Sequence, residues 1–268
     1  MAPFRQVLGT DMLPRVVTGL VGLPVVLFLT FVGAPLFNLA TNVVGIIGGF
    51  ELAYMIRPAH TLLALMITLG IIVTTTAIWL NALPVALLVM LLFVIVGLIE
   101  TYRKRANFLR DYGYGLGGAL YIGLSMGVLA LIRSSESGLL WTLMLFVNNW
   151  STDSFALIGG RLFGKHKLAP TISPSKTIEG ALVGLTMGFL AGFALALIVG
   201  LPRETALIAN IVIPFATEAG DLIESLIKRH LRVKDSGSIL PGHGGFLDRM
   251  DGTLLAAPCL FVVLLLAG

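Results

Sequence analysis

Apolar residues along this chain come in runs rather than in alternation, and the runs are as long as a bilayer is thick. Nine stand out, at about 16–33, 36–56, 61–80, 83–100, 115–132, 139–158, 178–200, 205–227 and 250–267. Each approaches the ~20 residues that a helix needs to cross the hydrocarbon core. Runs without a period of two favour helices over a barrel, since a helix pairs all its backbone groups within one segment. The pattern predicts an all-α, polytopic integral membrane protein of about nine transmembrane helices. Two connectors, Gly33-Ala34-Pro35 and Asn81-Ala82-Leu83-Pro84, read as tight turns between antiparallel helices. The first run is already of membrane length, so no cleavable leader is expected.

Composition agrees. The chain is 57% hydrophobic and 12% charged, with a mean hydropathy of +0.96, more apolar surface than a soluble fold can place. Charge adds an orientation. With the N-terminus in the cytoplasm, sixteen of the eighteen Lys and Arg fall in inner segments, leaving only Arg133 and Arg203 outside. That asymmetry predicts N-in, C-out insertion in the cell (inner) membrane. A net charge of +4 suits basic loops against an anionic leaflet and does not suggest nucleic acid. The single cysteine, Cys259, excludes an intrachain disulfide and reads as a small packing residue. The basic, aromatic stretch 101–112 reads as a loop anchoring the topology at the headgroups. The first four runs hold two acids, Glu51 and, at the very end of the fourth, Glu100, of which Glu51 is the buried-looking one. Residues 1–114 therefore read as a transmembrane scaffold. Residues 115–268 read as a catalytic region with cytoplasmic loops 159–177 and 228–249.

Chemistry-bearing residues gather after position 147. Asp153 follows Asn148-Asn149-Trp150-Ser151-Thr152 late in the sixth run. An ionised Asp near mid-membrane costs roughly 2.5–3.5 kcal/mol, so Asp153 should face the bundle interior or a wet cavity; a helix-packing hydrogen bond is the plainer role. Ser173-Pro174-Ser175-Lys176-Thr177 reads as a turn opening the seventh run, serving equally well as a cap or as a phosphate site at a helix N-terminus. In the eighth run Glu218, Asp221, Ser225 and Lys228 share one helical face. Two carboxylates on that face repel each other unless a cation joins them, and oxygen donors favour Mg²⁺. An Asp221–Lys228 salt bridge is the poorer explanation, since two turns is long for a direct contact. The connector then supplies Lys234, His243, Gly244 and Gly245, followed by Asp248, Arg249 and Asp251. The glycines permit close backbone approach to a ligand. Asp248 and Asp251 lie one turn apart at a helix start, where acids also suit the helix dipole.

The 27 residues from Ser225 to Asp251 resemble the signature of the bacterial phosphatidate cytidylyltransferases (CDP-diacylglycerol synthases). Ser225, Lys228, Arg229, Lys234, Asp235, Gly237, Leu240, Pro241, His243, Gly244, Gly245, Asp248, Arg249 and Asp251 fall on its fixed positions. Upstream, G-R-L-F-G-K at 160–165 and I-S-P-x-K-T-x-E-G at 172–180 are also similar to family motifs, with Ser175 where the family commonly has Lys. The resemblance implies transfer of the cytidylyl group of CTP to phosphatidate, with Mg²⁺, a second cation being left open, at the cytoplasmic face of the bilayer. A homodimer is implied in the same way. Asp221 and Asp248 would hold metal, assisted by Asp251 and Glu218. Lys228 and Arg249 would act at the reacting phosphates. Ser173, Lys176, Arg229, Lys234, His243, Gly244 and Gly245 would bind substrate, and Asp153 would complete the polar cavity.

Three other readings compete. A CDP-alcohol phosphotransferase needs Ala-Arg where the chain has Leu255-Ala256, and acids beyond Asp251 that the chain lacks. A CTP-dependent lipid kinase shares the setting but not the H-G-G-x2-D-R-x-D connector. A transporter using intramembrane carboxylates would need polar groups at both faces, and the outer segments offer almost none.

Overall fold

A computed structural model describes residues 12–104, 108–237, 239 and 244–267. Among the described residues the chain forms nine helices: α1 (Met12–Val32), α2 (Ala34–Ile56), α3 (Thr61–Trp79), α4 (Leu83–Lys104), α5 (Phe108–Ser134), α6 (Gly138–Phe163), α7 (Ile178–Ile198), α8 (Arg203–His230) and α9 (Leu247–Ala267). They match the nine predicted runs one for one. Seven, α2 to α5 and α7 to α9, are long and apolar enough to cross a membrane. In α1 the described apolar part is Leu20–Val32, and in α6 the polar stretch around Asn148, Asn149 and Asp153 dilutes the apolar run.

The surface follows lipid rather than water. Leu20, Phe28, Leu65, Leu87, Ile198 and Leu266 are exposed, while the interior mixes Ile67, Ile71, Met144 and Leu260 with Asn148, Asn210 and Thr217. Helix α5 packs on α2, α3 and α4 on one side and on α9 on the other. One buried cluster therefore runs through both the presumed scaffold and the catalytic region.

Small residues bring the second half close together. Gly180, Gly184, Gly188 and Gly192 are buried at every fourth position of α7, which aligns them on one face. A Cβ on Gly184 would lie 2.7 Å from the Thr152 carbonyl oxygen and from the Ala156 methyl of α6. Asparagines then tie α6 to α8 and α9. Asn148 donates to Asn210 (2.9 Å), Asn149 donates to Thr253 (3.0 Å), and Thr217 donates to Asn149 (2.5 Å). The close approach and the paired amides take the place of the hydrophobic drive that lipid does not supply between helices.

Two expectations are corrected. The stretch 101–112 is mostly helical, ending α4 and beginning α5, with 105–107 outside the described residues. Asp111 in the first turn of α5 suits the helix dipole and receives Arg57 at 3.3 Å. The Ser173–Thr177 segment is not a turn. It is strand β2, antiparallel to β1 (Lys167–Ala169), with Ala169 opposite Ser173 and Lys167 opposite Thr177. Pro174 is tolerated because both strands of so small a sheet are edges. Pro170 lies in the turn between the strands, where Ile172 N–H bonds to Ala169 C=O.

Candidate active site

The C-terminal half of α8 carries the first group of polar side chains. Spacing puts Glu218, Asp221, Ser225 and Lys228 on one face, and the structure keeps them there. The cation between Glu218 and Asp221 is an ammonium: Lys176 Nζ of β2 lies 2.6 Å from Glu218 Oε2 and 2.9 Å from Asp221 Oδ2. Burial disfavours the Lys176 charge, but the Asp221 and Glu218 carboxylates outweigh it and hold the group above the usual lysine range. Ser225 donates to the other Asp221 oxygen at 3.2 Å. Lys228 does not reach Asp221. It pairs with Glu224 one turn back (3.3 Å) and with Asp248 of α9 (2.5 Å).

The connector into α9 is organised around two carboxylates. Asp248 Oδ1 takes Lys228, and Oδ2 accepts from Ser236 N–H (3.0 Å), the Ser236 hydroxyl (3.0 Å) and Gly245 N–H (2.8 Å). The second carboxylate comes from α2. Glu51, only 4% exposed, accepts from Phe246 N–H (2.8 Å), Leu247 N–H (2.9 Å) and the Ser236 hydroxyl (3.1 Å). These are N–H groups that a helix start leaves without intrahelical partners. Gly244 has φ +79, and a Cβ there would stand 2.8 Å from Asp248. A Cβ on Gly245 would meet the Ser236 hydroxyl and, at 2.7 Å, Glu51. The close backbone approach that the glycines permit is thus to the chain's own carboxylates.

Other predicted residues take several positions. Asp153 is exposed and feels the charges of Asp251, Asp221, Lys176 and Glu218. Asp251 Oδ1 accepts from its neighbour Gly252 N–H at 2.7 Å. Arg249 and Lys234 are exposed at the same end. Arg229 donates to the carbonyls of Ile172 and Val233, both at 3.2 Å, so it fastens the β-hairpin to the end of α8. Ser173 is half-buried in β2. His243 lies outside the described residues. Glu179 folds the preceding loop back by accepting Lys165 N–H (3.0 Å) and His166 N–H (3.2 Å), and Thr177 caps α7 by accepting Gly180 N–H (3.1 Å).

Among the described residues, no three His, Cys, Asp or Glu side chains are grouped to hold a metal ion. The donor chemistry nonetheless suits a hard divalent cation. Neither Asp153 nor Asp251 has an ion-pair partner among the described residues, and carboxylate oxygens are the donors such a cation prefers.

Comparison with known proteins bears on what this cluster serves. The model of the Cytidylyltransferase family matches residues 13–267, nearly the whole chain. The chain belongs to the cytidylyltransferase family. A relative from Bacillus subtilis named phosphatidate cytidylyltransferase is 34% identical over 272 positions, covering 96% of this chain and 98% of the relative. Proteins of the same name from Staphylococcus saprophyticus and Staphylococcus aureus strain COL are 38% and 34% identical over 189 residues, 70% of this chain and 72% of each relative.

Two buried acids of this cytidylyltransferase, Glu224 and Glu51, were not among the site residues expected from the sequence, where Glu51 was read as part of the scaffold. Glu224 was legible as the i−4 partner of Lys228. Glu51 carried only one local signal, an acid buried in an otherwise apolar run, and nothing local pointed to a partner 195 residues away.

Proposed function

We propose that this cytidylyltransferase transfers the cytidylyl group of CTP to phosphatidate, giving CDP-diacylglycerol and pyrophosphate, at the cytoplasmic face of the inner membrane. The near full-length similarity to the Bacillus subtilis protein of that name carries the reading. A phosphate oxygen of phosphatidate attacks the α-phosphorus of CTP; a P–O bond forms, and the bond from that phosphorus to the α,β-bridging oxygen breaks. The nucleophile is already anionic, so the main demands are to overcome repulsion between anions and to stabilise the departing pyrophosphate. Lys176, Lys228, Arg249 and Lys234 supply positive charge at one end of the bundle, with Arg229 holding the hairpin that carries Lys176. Asp221, Asp248, Asp251 and Glu218 would hold Mg²⁺, which would neutralise phosphate charge; in the structure Lys176 and Lys228 occupy three of these carboxylates.

The position of the cluster suits a lipid substrate. Helix α8 has 28 residues, about 42 Å at 1.5 Å per residue, against a hydrocarbon core of about 30 Å. Counting roughly 20 residues from Arg203 ends near Leu222. Glu218 and Asp221 therefore fall at the interface, where a headgroup in the leaflet can meet CTP from water. A homodimer belongs to the same reading and is tested by the mass of the detergent-solubilised protein.

The reaction is tested with purified protein, phosphatidate, Mg²⁺ and CTP labelled on the α-phosphate. Label entering the lipid in step with pyrophosphate release, and stopped by EDTA, is the expected result. Release of CDP without pyrophosphate would turn the reading to a lipid kinase, and no CTP turnover with any lipid would defeat it.

A further inference from the structure

We propose that Glu51, on α2 and far from the signature in sequence, is a positioning residue that sets the geometry of the catalytic connector. The inference rests on the transfer reaction proposed above. A buried carboxylate is costly unless hydrogen bonds compensate it, and among the described residues the bonds of Glu51 all go to one segment: Ser236, Phe246 and Leu247. The two oxygens divide the work. Oε1 takes Phe246 N–H, while Oε2 takes Leu247 N–H and the Ser236 hydroxyl.

Ser236 is the link to the chemistry. Its hydroxyl lies 3.1 Å from Glu51 Oε2 and 3.0 Å from Asp248 Oδ2, and it is buried. One hydroxyl has one hydrogen, so it donates to one carboxylate at a time and sits as a shared contact between them. Asp248 in turn holds Lys228 at 2.5 Å. Displacing the Glu51 carboxylate therefore releases the start of α9, then Ser236, then the Asp248–Lys228 pair. The surroundings are shaped for it: a Cβ on Gly237 would come within 2.7 Å of Glu51 Oε1, and one on Gly245 within 2.7 Å of Oε2. The two glycines let the backbone close on this one carboxylate. Because Glu51 and Asp248 already use the N–H groups of Gly245, Phe246 and Leu247, these three donors are taken up internally rather than offered to substrate phosphate.

Glu51→Gln keeps the side chain's size but offers one acceptor oxygen and turns an NH₂ toward an N–H donor. Its kcat should fall by about ten- to a hundredfold with KM for CTP nearly unchanged, the signature of misplaced catalytic groups rather than lost ground-state binding. Ser236→Ala should fall in the same direction. The double variant should lose less than the product of the two single losses, because both act through one contact. Hydrogen exchange in detergent gives a readout independent of turnover: Glu51→Gln should lose protection at residues 244–248 while α3 and α5 keep theirs. Wild-type kcat in Glu51→Gln would overturn the proposal. So would activity loss accompanied by an even loss of protection across all helices, which would make Glu51 a folding residue only. If the wild-type protein fails to turn over CTP and phosphatidate, the reaction is at fault; the exchange pattern still decides whether Glu51 holds the connector.

Discussion

Glu218, Asp221 and Lys176 show how one side chain changes the reading of a motif. Two acids on one helical face called for a cation, and the structure supplies Lys176 to both. Replacing Lys176 with Met leaves the two carboxylates facing each other; we expect a stability loss of up to about 3 kcal/mol, the low end for breaking a buried pair, read from thermal unfolding in detergent. The sign with pH follows from the raised pKa. Lys176 contributes stability fully below the ordinary lysine value of about 10.4 and loses it only as pH rises through the higher folded value. A fall in wild-type stability below pH 9 that vanishes in Lys176→Met would contradict this. Asp221→Asn weakens the hold on Lys176 and removes an oxygen donor, and turnover should drop by at least about a hundredfold with the fold retained by circular dichroism. Near-normal turnover would remove Asp221 from the site. The shared face of α8 was legible because i, i+3 and i+7 positions align on any helix. The identity of the cation was not, because Lys176 lies on another element.

At the scale of elements, helix existence followed from run length, while close packing depended on which glycines meet a neighbour. Gly188 of α7 and Gly117 of α5 look alike in sequence. A Cβ on Gly188 would collide with the Thr152 hydroxyl, whereas nothing lies within 4 Å of one on Gly117. Gly188→Ala should therefore destabilise by about 1–3 kcal/mol through overpacking. Gly117→Ala should be neutral or gain up to about 1 kcal/mol from the lower backbone entropy of the unfolded chain. Equal unfolding temperatures for the two variants would refute the close α6–α7 contact. The hairpin β1–β2 was missed for a related reason. Its strands are three and five residues long, too short for a period of two to stand out, and its place is set by Arg229 of α8 and the loop held by Glu179.

For the whole molecule, the alternation of nine helices puts Glu51, Lys176, Lys228 and the connector at one end, and their contacts require it. Arg133 bonds Thr30 C=O at 2.7 Å and Ser134 meets Asn38 at the other end. A reporter that is active only outside the cytoplasm should therefore be active when fused after Gly268 and silent in loop 164–177. The reverse pattern would invert the proposed orientation. What the sequence determined by itself was the membrane setting, the number of helices and the family signature, because all three reside in local runs and in a contiguous 27-residue stretch. Only the tertiary structure decided which charges pair. Hydrophobic length is a property of each segment, whereas a buried carboxylate is satisfied by whatever donors the fold brings to it. For Glu51 those donors lie 185 to 196 residues later, in the connector and at the first residue of α9.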